Sequence, residues 1–490
     1  MKWDKLLSSE RLGGKITNQY SDQYPISEFE MDYQRIITSA SFRRLQDKTQ
    51  VFPLDKSDFV RTRLTHSIET ASLAKQLGVM ITQNIRKYKA KDPHIITNEQ
   101  AMQIADILMC AGLLHDIGNP PFGHFGEVVI RDWFKNNLNL NHYKTNTLDR
   151  VLTDRMKKDL LNYEGNAQAL RILTKLHHID SDYGMDLTAA VLNTLIKYPT
   201  DSLNIDEDNE NIKRHKLGYY LAEEDLLRQI ATHTGTIQED GSFCRHPLTF
   251  ILEAADDIAY STADLEDAYK KGMFSVNEFI EYYNKELDNY IQNQKITNEQ
   301  KSKSKLLIKE LISLKEKCGS SSNAELVAFQ KWVIYTRDWL LYSAAFGFTT
   351  NYSSIMEGTY KKDIFVNTFH EFSLKILKKA MGRYVFSAPS ILKLELAAQT
   401  IITSLLNKFI PAVIYFNEKG DQINKEFKQT KADKKLTDLI SDNYKEGYLK
   451  IKTEDYNYNL YLRLLLVTDY ISGMTDSYAK NLYQELNGIY

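Results

Sequence analysis

Residues 113–127 read LLHDIGNPPFGHFGE. The stretch leaves an apolar run, passes through His115 and Asp116, and crosses backbone made irregular by two prolines and three glycines. His124 follows nine positions after His115, and Glu127 comes three further on. Imidazole and carboxylate ligands suit a divalent metal such as Mn, Fe, Mg or Zn. With 11 histidines in the chain, a His-Asp dipeptide by itself carries little weight. Its partners carry more: His66 opens the segment THSIETASLAKQLGVMITQNI, and Asp256 lies in EAADDIAYSTADLEDA. Two histidines and two aspartates would leave two positions of an octahedron for water and a substrate oxygen, a site that can activate water and polarise a phosphoryl group.

Asp256, Tyr260 and Asp264 are spaced i, i+4, i+8, so they share one helix face with about 40° of drift per step. Solvated acids on an amphipathic helix give the same spacing. Asp257 competes with Asp256 for the ligand role, and only the register of Tyr260 and Asp264 favours Asp256. A histidine near a leaving alkoxide is chemically sensible, because imidazole titrates near neutral pH. On its own, His124 reads first as a structural turn histidine with its ring bonded to backbone.

The elements that must position these groups are helical. NEQAMQIADILMCAGLLHD places Met102, Ala105, Leu108, Met109, Gly112 and Leu113 on one face and predicts a helix ending at His115. The His66 segment repeats the pattern through Ile68, Ala71, Leu73, Ala74, Leu77 and Ile81, with Thr65 as its expected N-cap. A third helix starts near Pro247 and stops near Gly272. Strand-like alternation is sparse, and AVIYFNEKGDQI near residue 412 is the best hairpin candidate. Residues 199–216 and 290–305 are polar and predict surface loops. The chain is therefore expected to be mainly α. Its 490 residues, 43% hydrophobic and 26% charged, are those of an ordinary globular protein, and the net charge of -2 argues against a general affinity for nucleic acid. Three scattered cysteines exclude a disulfide framework and a thiolate zinc site. No apolar run approaches the ~20 residues that cross a bilayer, and no signal peptide is evident, so a cytoplasmic location without membrane attachment is expected. There is no Walker loop and no GxGxxG.

Six blocks occur in order: FRRLQDKTQVFP (42–53), RTRLTHSIE (61–69), HDIGNPPFGHFGE (115–127), YEGNAQ (163–168), EAADDIAYSTADLEDA (253–268) and DYISGMTDSYA (469–479). Together they resemble the bacterial deoxyguanosinetriphosphate triphosphohydrolases of the HD superfamily. The resemblance implies a helical HD-type catalytic core over 1–280, with an insertion near 199–216 and at most a small β hairpin. A helical part over 281–490 would complete the substrate site and the oligomer contacts. It implies one divalent ion, Mn or Mg first and Fe, Co or Zn as alternatives, held by His66, His115, Asp116 and Asp256. The implied reaction cleaves dGTP, and other dNTPs, at the α-phosphorus to deoxynucleoside and inorganic triphosphate. His124 would handle the proton and Glu127 would orient it.

Substrate contacts implied by the resemblance are Gln50 at the sugar and base, Arg63 at the α-phosphate, and Asn166, Lys197, Tyr198 and Lys216 along the phosphates. Tyr260 would pack against the deoxyribose and Asp264 would accept from the 3′ hydroxyl, with Glu395 reaching toward a neighbouring subunit. In FKQTKADKKLTDLI, where the family carries a substrate-binding arginine, lysines predominate. A homo-oligomer, a hexamer in the family, and single-stranded DNA are the partners implied. Another HD phosphohydrolase, a nucleotidase or phosphodiesterase, would explain the metal residues but not KTQVFP, YEGNAQ or the Asp256-Tyr260-Asp264 face. A single-stranded-DNA-binding or dNTP-sensing protein, for which 30 tyrosines offer stacking surfaces, would not need both His124 and Glu127.

Overall fold

Helices dominate, as the periodicity requires. The computed structural model describes residues 1–489 apart from 15–25, 53–56, 93, 178–182, 294–295, 320–321 and 418–427. Among the described residues are 22 α-helices and one antiparallel hairpin, in which His142–Tyr143 pairs with Asn146–Thr147. The expected hairpin near 412 is not one. Ala412 and Val413 close the helix Pro389–Val413, residues 414–417 form a turn, and 418–423 lie outside the described residues. Ala412, Val413 and Ile414 are all buried, so the apparent alternation is a helix end covered on every side. Much of 290–305 is also helical rather than loop: Val276–Asn293 runs into it, and Thr297 and Gln300 form a capping box that starts Asn298–Cys318. One stretch, Ile391–Val413, is long and apolar enough to cross a bilayer by length and composition, contrary to expectation, but half of its apolar window is buried inside the fold.

Three helices frame the chemistry: Arg63–Tyr88, Asn98–Leu114 and Pro247–Lys270. Thr62, one turn before the expected cap, starts the first. Its hydroxyl accepts from the Thr65 amide while the Thr65 hydroxyl accepts from the Thr62 amide. His246 caps the third by accepting from the Leu248 amide at 3.2 Å, with Pro247 as first helical residue, and Gly272 (φ 70°) follows its end. The His66 and His115 helices run antiparallel in close contact. A Cβ on Gly112 would lie 2.4 Å from the Ala71 Cα, and one on Gly78 would lie 2.4 Å from a Leu108 methyl. Small residues at these points are what lets the backbones touch.

Two apolar clusters form the interior. One surrounds the three framing helices. The other is built on Gly123–Asn137, Pro389–Val413 and Tyr456–Ser472. The turn 115–122 crosses from the first to the second, with Ile117 in one and Phe122 in the other.

Because the clash at Gly112 is with backbone, Gly112→Ala should lower stability by about 1–3 kcal/mol through overpacking. Denaturant titration checks this; a loss below about 0.5 kcal/mol, the level of a neutral surface change, would show that the two helices separate freely.

Candidate active site

The rings of His66 and His115 meet edge to face with centroids 5.2 Å apart. The His115 Nδ1 donates to the Gly112 carbonyl at 2.8 Å, which leaves Nε2 bearing the lone pair. That nitrogen is buried, has no hydrogen-bond partner, and lies 3.3 Å from the Asp256 Oδ1. The His66 Nε2 lies 3.2 Å from the same oxygen. Ligand atoms of His66, His115 and Asp256 all fall within 4.8 Å of one another, the one such group among the described residues. A bare imidazole nitrogen whose ring is fixed through its other nitrogen to a backbone carbonyl is the usual arrangement of a metal-ligating histidine. The donor set fits a divalent cation.

Asp256 rather than Asp257 faces this point. Asp257 is engaged by the Lys378 ammonium at 2.6 Å, and burial pushes its carboxyl up to about 7. Asp116 stands at the edge of the group. Its Oδ2 lies 3.5 Å from the His115 Nε2 and accepts from Arg63, while Oδ1 accepts from Asn119 at 2.7 Å. Burial opposes the charge of Asp116, but the Arg63 guanidinium together with His115 and His66 outweighs it, holding the carboxyl below the usual range. The Lys197 ammonium donates to Asp256 Oδ2 at 2.9 Å.

The turn after Asp116 is tightly specified. A Cβ on Gly118 would lie 2.0 Å from the Gly165 carbonyl, so this residue packs directly on the start of the helix Gly165–Lys175. Phe122 and Gly123 both adopt φ 63°. The Phe122 amide donates to Asp476 at 2.9 Å, and the helix Gly123–Asn137 begins there, carrying His124 and Glu127 on its first two turns. The His124 Nδ1 bonds to the Glu127 Oε2 at 3.0 Å, and the Gly165 amide donates to the other oxygen of Glu127 at 2.8 Å. The histidine side chain is 74% exposed and the glutamate 2%. The hydrogen bond and charge of Glu127 raise the His124 pKa. Burial opposes the charge on Glu127, but His124 wins and keeps its carboxyl below the usual range.

A cavity of about 480 Å³ opens over this group at the seam of the two apolar clusters. Of the residues expected from sequence, Gln50, Arg63, His66, Asp116, His124, Asp256, Tyr260 and Glu395 line it. His115 and Glu127 are buried behind the wall. Asp264 is 1% exposed and lies beneath Gln50, whose amide is 3.5 Å from its Oδ2; burial pushes this carboxyl up to about 7. Asn166 and Lys216 do not line the cavity; both donate to Glu164, beside the Glu127 carboxylate. Tyr198 lies near Lys197, Glu253 and Arg245, with burial raising its phenol.

Four residues not singled out from sequence shape the site. Phe386 lines the cavity with its ring stacked at 11° and 6.4 Å from Tyr260. Lys48 is buried and donates to the carbonyls of Asn119 and Ser472, each at 2.6 Å. Asp476 supports the turn, and Glu164, buried beside Glu127, accepts from Asn166 and Lys216. Lys48, Glu164 and Asp476 fall inside the recognised blocks, but an isolated charged residue there gives no sign of its partner.

The HD domain profile matches residues 63–193, which include His66, His115, Asp116, His124 and Glu127. A deoxyguanosinetriphosphate triphosphohydrolase-like protein of Listeria innocua is 45% identical over the full length of both chains. One of Synechocystis is 33% identical, also over both full lengths. A deoxyguanosinetriphosphate triphosphohydrolase of Yersinia enterocolitica is 31% identical over 98% of this chain and 97% of its own. The chain therefore belongs to the deoxyguanosinetriphosphate triphosphohydrolase-like family of HD-domain proteins.

Proposed function

We propose that this protein hydrolyses dGTP, and other dNTPs, to the deoxynucleoside and inorganic triphosphate, using one divalent ion, Mn or Mg, held by His66, His115, Asp116 and Asp256. The observation that carries the reading is the His66–His115–Asp256 group at the floor of a cavity whose wall also presents His124 hydrogen-bonded to Glu127. When bound, the ion supplies a Lewis acid for the phosphoryl oxygen and lowers the cost of deprotonating water.

The protein's own groups do the rest. Arg63, buried and preset by Asp116, binds the α-phosphate. Water forms a bond to the α-phosphorus as the bond from phosphorus to the 5′ oxygen breaks. His124 gives that oxygen a proton from Nε2, since Nδ1 is engaged by Glu127, and the proton released by the attacking water passes to solvent, from which His124 is reprotonated. Glu127 fixes the ring and keeps it protonated to higher pH. Tyr260 packs against the sugar, where crowding at C2′ excludes ribose, and Gln50 carries the contact of Asp264 to the 3′ hydroxyl. Phe386 offers the base an apolar face. Lys197, Tyr198, Asn166 and Lys216 take the phosphate tail. Glu395 on the cavity wall would meet a neighbouring copy in a homo-oligomer.

Purified protein given each dNTP with Mn or Mg, with products resolved by anion exchange, should yield intact triphosphate and deoxynucleoside. Monophosphate with pyrophosphate, or no turnover by metal-loaded protein, would sink the proposal. His124→Ala should retain metal and substrate binding and lose about 10²–10⁴-fold in turnover, the usual worth of a general acid; a rate near that of the parent would remove the proton role. His124 must be protonated to act, so turnover falls as pH rises through its pKa. Glu127 raises that pKa, so Glu127→Gln should move the alkaline limb of kcat to lower pH. An unmoved limb, or one moved upward, would contradict the assignment.

A further inference from the structure

Glu164 has no part in the reaction above, yet three polar side chains converge on it. It stands at the N-cap of the helix Gly165–Lys175, but its side chain caps nothing. The carboxylate is 2% exposed and turns inward. Oε1 accepts from the Asn166 amide at 2.9 Å and from the Lys216 ammonium at 3.3 Å. Oε2 lies 3.7 Å from the Arg131 guanidinium, which also donates to the Tyr163 carbonyl at 3.0 Å. The next peptide amide, Gly165 N–H, donates to Glu127. A Cβ on Gly165 would lie 2.2 Å from the Asn119 side-chain oxygen and 2.7 Å from the Glu127 Oε1. One peptide unit thus carries Glu164 on one side and grips Glu127 on the other.

Burying two carboxylates side by side is costly unless each gains compensating donors. Glu127 has His124 and the Gly165 amide. Glu164 has Asn166, Lys216 and Arg131, and burial with the charge of Glu127 still raises its pKa. A half-exposed lysine such as Lys216 (42% exposed side chain) would otherwise roam through many rotamers, and fixing it beforehand removes that entropy from the binding step.

We propose that Glu164 is a positioning residue that sets Asn166 and Lys216 for the triphosphate tail and joins them, through the Gly165 peptide, to the His124–Glu127 pair. The proposal rests on the reading of Asn166 and Lys216 as tail contacts. Glu164→Gln keeps the shape and removes the charge that holds Lys216, so it should weaken binding of the tail while the chemical step stays intact.

Calorimetric binding of inorganic triphosphate to the metal-loaded full chain tests this without turnover. Glu164→Gln should weaken binding about tenfold, as expected for loss of a charge-assisted contact. Lys216→Met should weaken it too, and because Glu164 acts in part through Lys216 the two losses should combine less than additively. In dGTP turnover the loss should fall on KM, with kcat within about threefold of the parent, and Glu164→Asp should recover part of it. If Glu164→Gln does not fold, Glu164→Asp carries the same test: its shorter carboxylate should weaken triphosphate binding, and its loss should combine with that of Lys216→Met less than additively. Unchanged triphosphate binding in Glu164→Gln, or full additivity of either pair, would overturn this proposal and leave the hydrolase reading standing. Failure of the parent protein to bind triphosphate would overturn both.

Discussion

The catalytic region depends on how one carboxylate from the far end of the chain holds a turn that backbone preferences disfavour. Asp476, 2% exposed, accepts from the Phe122 amide at 2.9 Å, from the Thr49 amide at 3.0 Å, and from the Thr49 hydroxyl. Phe122 sits at φ 63°, a region costing a side-chain-bearing residue of order 1–3 kcal/mol. A buried amide without an acceptor adds roughly 1–3 kcal/mol. Without that carboxylate the turn would keep its Asp116–Asn119 and Lys48 contacts but lose the acceptor of the Phe122 amide. The start of the helix that carries His124 would lose its anchor, although neither His124 nor Asp476 touches the other.

The charges beneath the site extend the same logic. Lys48 is buried without a direct carboxylate partner; burial pushes its ammonium down to about 7, with the nearby Arg63 charge adding to the effect. Two backbone carbonyls, of Asn119 in the turn and Ser472 at the end of the helix Tyr456–Ser472, compensate it. The buried Arg63 pairs with the partly buried Asp116, and Arg171 with Asp469 and Glu223 forms a fully buried triad joining the helix Gly165–Lys175 to that same C-terminal helix. Such pairs give modest net stability but resist rearrangement, because breaking one leaves a lone buried charge. The turn is therefore pinned from the first block of the sequence and from the last.

What could be read from sequence follows from this division. The ligand set, the helical frame and the His124–Glu127 spacing are local patterns or recognisable blocks, and the helices Arg63–Tyr88, Asn98–Leu114 and Pro247–Lys270 appear where periodicity places them. Thr62 and Thr65 are interchangeable as caps by residue type, and only the reciprocal bonding decides between them. Ala412 and Val413 alternate with nothing, because every face there is covered. Lys48, Glu164 and Asp476 escaped notice because their roles lie in contacts with residues far along the chain, such as Ser472 and Lys216 for the first two. Asp264 lies within the expected face but is buried, with the Gln50 amide 3.5 Å from its Oδ2.

The contact between Ala71 and Gly112 bears on what the site can select. It lies five residues from His66 and three from His115, about 7 Å and 5 Å along their helices at 1.5 Å per residue. The backbones that carry the two imidazoles thus touch close to the site, which limits how far the two helices can draw together. A cation held between them would then be selected more by ligand chemistry and hydration than by the helices closing around it.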